Sequence, residues 1–81
     1  MEIKLHLELW KVNKLCKICD SSHFDINVVS GKFCVDGRSV MGVMRMCGRD
    51  IEIVPITTDL ENIEKLYERL KPLGAVMLRR K

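Results

Sequence analysis

Long hydrophobic runs, internal repeats and low-complexity segments are missing from this sequence of 81 residues. No apolar run approaches the roughly 18–20 residues that a membrane-spanning helix needs, so we expect neither a transmembrane segment nor a membrane partner. The N-terminus alternates polar and apolar residues, whereas a secretory signal places a long apolar stretch after a basic start. We therefore expect a cytoplasmic protein, and a chain of this length leaves room for a single core.

A strong excess of one charge is missing too. The chain has 14 basic and 11 acidic side chains, and its net charge of +3 equals the charge of residues 79–81, which are all basic. A nucleic-acid-binding domain usually carries a basic stripe on its folded part, so this distribution argues against nucleic acid as the main partner. Since the last helical pattern closes at Gly74, we divide the chain into a single domain at 1–74 and a basic C-terminal tail at 75–81.

The residue sets that hydrolytic enzymes need are also absent. The sequence shows no paired carboxylates of the kind that form an acid–base cleft, no set of serine, histidine and aspartate, and no glycine-rich phosphate loop. We therefore expect a protein that is not an enzyme and that needs no cofactor.

Four cysteines in a chain without an export signal argue against a disulfide framework. Cys16 and Cys19 have the C-x-x-C spacing, but Cys34 and Cys47 stand alone, whereas a four-cysteine zinc site usually uses two such pairs. Because Cys16 and Cys19 fall on the apolar stripe of a helix, we interpret them as core residues and expect no metal. A metal or nucleic-acid-binding module that uses this pair and the basic tail is an alternative.

Hydrophobic periodicity predicts the element order β-α-β-β-α-β-α. The strands are predicted at 2–8, 24–29, 32–35 and 50–56, and the helices at 9–19, 40–47 and 60–70. All three helical stripes need to be buried, and the strands alternate between apolar and polar residues. The sequence therefore predicts an α+β open-faced two-layer sandwich, in which three helices cover one face of a four-stranded antiparallel sheet.

Local patterns also predict the side chains that face the core and the start of the last helix. In the predicted hairpin, Ile26 and Val28 on the first strand and Phe33 and Val35 on the second should point inward. Residues 58–61 read TDLE, which has the spacing of a capping box and predicts that the threonine caps the last helix.

The short helix predicted at 40–47 should expose part of its apolar surface. Ser39 is well placed as its N-cap, because the hydroxyl can accept a hydrogen bond from a free backbone N–H one turn ahead. Val43 and Met46 suit the inner side of the helix. Three apolar side chains are then left on the outer side: Val40, Met41 and Met44.

Residues 35–44 read VDGRSVMGVM. This segment resembles the HPr family of the bacterial phosphotransferase system, whose members carry Val-Asp-x-Lys-Ser-Ile-Met-Gly-Leu/Val-Met in this place. The predicted element order is also that of the family, and the hairpin at 25–32 is similar to the family's second and third strands. The resemblance covers about residues 2–73, its specific part is the ten residues 35–44, and it implies an HPr-like fold.

The family's phosphate-carrying histidine has no counterpart here. In the family it lies in a Gly-x-His-x-Arg-Pro loop at the start of the first helix, but residues 7–11 read LELWK and place Glu8 at its position. His6 and His23 lie elsewhere, and a carboxylate repels phosphate. In this respect the chain is similar to the catabolite-repression paralogues of HPr; an active phosphocarrier with an atypical acceptor is the alternative. Trp10 is interpreted as core packing, or as a plug of the space that the phosphate pocket would occupy.

The family's second site is the serine that opens the short helix, which an ATP-dependent kinase phosphorylates in Gram-positive members. Ser39 matches it by position and neighbours, with Arg38 in place of the common lysine. The resemblance implies regulatory phosphorylation of Ser39 and docking of a transcription regulator, a kinase or a phosphotransferase-system component on Arg38, Val40, Met41 and Met44. The simpler interpretation of Ser39 is a helix cap only.

Overall fold

The computed structural model describes residues 2–78. They form an α+β fold in which an open, five-stranded antiparallel sheet packs against three helices, in the order βαββαβαβ. The strands are β1 Glu2–His6, β2 Ile26–Ser30, β3 Phe33–Asp36, β4 Asp50–Pro55 and β5 Val76–Leu78, and the helices are α1 Leu9–Asp20, α2 Val40–Met44 and α3 Leu60–Leu70. A single 3-10 turn at Lys71–Leu73 follows α3.

The sheet has five strands where the sequence predicted four. The strands lie in the order β3-β2-β4-β1-β5, and the additional strand β5 pairs antiparallel with β1, so that Met77 lies opposite Ile3. Gly74, with a φ of +89°, turns the chain after the 3-10 turn and lets it run back along β1. The fifth strand thus comes from the segment that we assigned to the tail, whose basic residues at 79–81 lie outside the described residues.

The core lies between the helices and one face of the sheet. Alternate residues of β1, β2 and β4 are buried, as the period of two predicts: Ile3, Leu5, Ile26, Val28, Ile51 and Ile53. Cys16 and Cys19 of α1 are buried among them, which confirms that they are core residues. The opposite face carries polar pairs, such as Lys4 and Glu52, whose Nζ and Oε1 atoms lie 3.4 Å apart.

The prediction that Phe33 points into the core is wrong. Phe33 is 58% exposed, although it shares its parity with Val35, which packs against the core. The reason is that β3 is an edge strand and Phe33 is its first residue, beside the hairpin turn. The Arg49 guanidinium lies 5.1 Å from the centroid of the Phe33 ring.

Asp59, and not Thr58, caps α3. The Asp59 carboxylate accepts a hydrogen bond of 3.0 Å from the Glu61 backbone N–H, and the Thr57 hydroxyl accepts one of 3.2 Å from the Asp59 N–H. Aspartate is as good an N-cap as threonine or better, so the capping residue lies one position later than predicted, while α3 begins at Leu60 as expected.

Candidate functional site

Ser39 lies at the end of a tight turn that joins β3 to α2. The Asp36 carboxylate accepts a hydrogen bond of 2.9 Å from the Arg38 N–H, and the Asp36 carbonyl oxygen accepts one of 3.0 Å from the Ser39 N–H. The Ser39 backbone is extended, and its hydroxyl accepts a hydrogen bond of 3.3 Å from the Gly42 N–H. Ser39 is thus the N-cap of α2, as predicted, and its side chain is exposed.

Two glycines hold this turn and α2 close to the core. The Gly37 N–H donates a hydrogen bond of 2.8 Å to the Ile26 carbonyl oxygen, and a Cβ atom at position 37 would lie 2.5 Å from Cys19 Sγ. At Gly42, a Cβ atom would lie 3.2 Å from the Cβ atom of Val35. The position of Ser39 therefore depends on the absence of side chains at these two sites.

The apolar side chains of the segment 40–47, which was predicted to be one helix, divide as the sequence predicts. Val43 and Met46 are buried, whereas Val40 is 40% exposed, Met41 76% and Met44 46%. Helix α2 is shorter than predicted, because it ends at Met44 and a series of turns follows. We define the α2 outer patch as four of the exposed residues in this segment: Arg38, Val40, Met41 and Met44.

A cleft of about 240 Å³ separates α1 from the start of α2. Arg38 and Val40 line its α2 side, and Lys17 and Asp20 line its α1 side. Arg38 also pairs with Asp25, with 3.5 Å between Nη1 and Oδ1. The outer patch thus combines apolar side chains with the Arg38 cation, and the Lys17 cation lies across the cleft from it.

Glu8 occupies the N-cap position of α1, although its side chain forms no capping hydrogen bond. Its carboxylate accepts a hydrogen bond of 2.9 Å from Trp10 Nε1 and lies 3.7 Å from Lys11 Nζ. The Trp10 hydrogen bond and then the Lys11 charge lower the pKa of the Glu8 carboxyl below its ordinary value. Trp10 is 54% exposed, so the prediction that it packs in the core is wrong.

Lys11 is buried, which the sequence pattern does not indicate because lysine falls outside the apolar stripe of α1. It is 7% exposed, and its ammonium donates a hydrogen bond of 2.8 Å to the His6 carbonyl oxygen. Lysine can bury its aliphatic stem when its charged end finds an acceptor, and here the acceptor lies five residues earlier in the chain. The cation nearest to Glu8 is therefore already occupied.

Neither histidine lies at the N-terminus of a helix, and both thiols of α1 are buried. His6 lies on the open face of the sheet, with 2.7 Å between its Nδ1 and Asp50 Oδ1, and His23 lies in the loop after α1. Burial raises the pKa of the Cys16 thiol, and that of Cys19 to about 12. A protonated thiol is a poor nucleophile and a poor metal ligand.

Residues 2–78 contain neither a cluster of metal-binding side chains nor a helix fit to cross a membrane. Within this part of the chain, no three histidine, cysteine, aspartate or glutamate side chains lie close enough together to hold a metal ion. In the same part, no helix combines the length and the apolar character that crossing a membrane requires.

No protein-family model matches the chain, and no curated protein matches it either. The resemblance to HPr therefore depends on the segment 35–44 and on the order of the elements around it.

Proposed function

We propose that this protein is an HPr-like regulatory domain that lacks the phosphocarrier histidine and binds a partner protein through the α2 outer patch, under control of phosphorylation at Ser39. The observation that carries the proposal is the position of Ser39, an exposed hydroxyl at the start of α2, directly beside exposed apolar side chains of the same helix. The partner would be a transcription regulator, a kinase or another phosphotransferase-system component. The strand β5 would be an addition to the four-stranded sheet of that family.

The α2 outer patch has the chemistry of a docking surface. Met41 and Met44 are the flexible, polarizable side chains that suit surfaces which adapt to a partner, and Val40 extends the apolar area. Their exposure of 40–76% on a helix of five residues leaves a compact apolar group beside the Arg38 charge. Such contiguous exposed apolar groups often belong to protein interaction sites.

Phosphorylation would change this surface at its margin. A phosphoserine brings roughly two negative charges and three acceptor oxygens, which can engage Arg38 and replace the present hydrogen bond between the Ser39 hydroxyl and the Gly42 N–H. The charge at the margin of the outer patch would change from positive to negative, while its apolar side chains stay in place. A partner with a basic rim would then bind the phosphorylated form more tightly.

The start of α1 argues against the active phosphocarrier. A charged Glu8 carboxylate stands at the N-cap, and Lys11 is engaged with the His6 carbonyl oxygen and with Glu8. An incoming phosphate would meet the Glu8 negative charge, and the Lys11 cation beside it is already engaged. We therefore expect no label on this protein after incubation with phosphoenolpyruvate and the first enzyme of the phosphotransferase system.

The proposal is tested by the intact mass of the protein after incubation with HPr kinase and ATP. We expect one phosphate on the wild type, none on Ser39→Ala, and one on Thr58→Ala, a matched variant that removes an exposed hydroxyl near the start of α3. Loss of the cap in Ser39→Ala should cost only about 1 kcal/mol, so the variant stays folded. A wild type without phosphate, or a phosphorylated Ser39→Ala, would contradict the proposal and leave Ser39 as a helix cap.

A further inference from the structure

A second surface lies on the other side of α2, outside the outer patch. It is a groove of about 230 Å³ between β3 and the turns that follow α2. Val35 and the buried Met46 form its apolar base, and the exposed Phe33, Arg45 and Arg49 form its margin. This volume lies below the roughly 300–1,000 Å³ of typical small-molecule pockets, so the groove suits a single apolar side chain.

Two arginines give this groove a positive margin. Among residues 2–78, neither the Arg45 nor the Arg49 guanidinium has an ion pair or a side-chain hydrogen bond, and that of Arg49 lies 5.1 Å from the centroid of the Phe33 ring. Asp50, which follows Arg49 directly, is paired with His6. Two guanidinium groups without a carboxylate partner are complementary to a ligand that brings carboxylates.

The backbone of β3 is open along the same groove. In the described residues β3 pairs with β2 alone, and Ser30 and Phe33 flank the two-residue turn of the hairpin. Because hydrogen-bonded and non-hydrogen-bonded pairs alternate in an antiparallel ladder, the N–H and C=O of Cys34, opposite Val29, point away from β2. An extended segment laid against β3 would satisfy both groups and place alternate side chains towards the groove.

We propose that this groove binds an extended acidic segment of a partner protein, which pairs with the β3 edge, inserts one apolar side chain between Val35 and Met46, and places carboxylates on Arg45 and Arg49. This site does not depend on the α2 outer patch or on phosphorylation of Ser39. A second copy of this chain is a poorer occupant, because its other sheet edge, β5, leads directly into the basic residues 79–81. That edge would bring positive charge to the two arginines.

The test is selection of a random decapeptide library on the purified full chain at low salt. We expect the selected peptides to share one large apolar residue with carboxylates within three positions of it. One selected peptide, labelled with a fluorophore, should bind the Arg45→Glu/Arg49→Glu variant at least about tenfold more weakly than the wild type. The Lys14→Glu/Lys65→Glu variant makes the same change in net charge on exposed parts of α1 and α3, and should bind within about twofold of the wild type.

Backbone amide signals of the labelled protein locate the peptide. On binding, hydrogen exchange at the Cys34 N–H should slow and the largest shifts should fall on 33–36, 45 and 49, equally in Ser39→Ala. The proposal is overturned if no peptides are enriched, if the enriched peptides lack carboxylates, or if the charge-matched control loses as much affinity. It is also overturned if the largest shifts fall on Val40, Met41 and Met44, or if sedimentation shows a wild-type dimer that the Arg45→Glu/Arg49→Glu variant does not form.

Discussion

Replacement of Gly37 by alanine should destabilise the folded protein by about 2–3 kcal/mol. The new Cβ atom would lie 2.5 Å from Cys19 Sγ and 3.0 Å from the Ile26 carbonyl oxygen. The carbonyl belongs to β2 and already accepts the Gly37 N–H, so it cannot move without weakening that hydrogen bond of 2.8 Å. The measurement is urea unfolding followed by circular dichroism, because Trp10 is too exposed to report on the core.

A second substitution separates the two contacts of the new methyl group. Cys19→Ala removes the sulfur atom but leaves the Ile26 carbonyl oxygen in place. The double variant Gly37→Ala/Cys19→Ala should therefore lose less stability than the sum of the two single variants, by about 0.5–1.5 kcal/mol. If Gly37→Ala unfolds within about 0.5 kcal/mol of the wild type, then the turn that carries Ser39 is not fixed by the close approach described above.

Much of the fold follows from patterns that extend over several residues. The alternation along β1, β2 and β4 and the spacing of three and four along α1 identify one buried face each, and the structure buries those faces. The strand β5 could not be found in this way, since three residues show no period. Phe33 occupies the alternate position that should face the core. The alternation along β3 does not show, however, that β3 is an edge strand and that Phe33, its first residue, lies beside the hairpin turn.

The candidate site, too, has features that local sequence patterns predict and features that depend on contacts between distant segments. The capping of α2 by Ser39 and the outward direction of Met41 and Met44 depend on residues at most a few positions apart, so local spacing predicts them. The groove beside Arg45 and Arg49 depends on the contact between α2 and β3, which no local pattern contains. Likewise, burial of Lys11 needs the His6 carbonyl oxygen, whose place is set by the turn between β1 and α1.

The stability of the protein should fall steeply above pH 9 because of Cys19. Burial, followed by the nearby Cys16 and Asp36, raises the pKa of the Cys19 thiol from 9.0 to about 12. Between these two values the unfolded chain loses the thiol proton and the folded chain keeps it, so the unfolded state binds fewer protons and is favoured as the pH rises. The free energy of unfolding should decrease by about 1.4 kcal/mol per pH unit from this group, or about 3 kcal/mol at pH 11.

The effect of Cys19 is isolated by comparing the pH profile of unfolding of the wild type with those of variants that each lack one thiol. Cys19→Ala should lose about 3 kcal/mol less than the wild type between pH 8.5 and 11, whereas Cys34→Ala, which removes an exposed thiol, should follow the wild-type profile. Parallel profiles of wild type and Cys19→Ala would mean that the thiol ionises as easily in the folded state as in the unfolded one. Whether the Cys19 thiol stays protonated in the folded state bears on function, because a metal site at Cys16 and Cys19 would require thiolates. A steep loss of stability at alkaline pH is expected of a pair that the core keeps protonated.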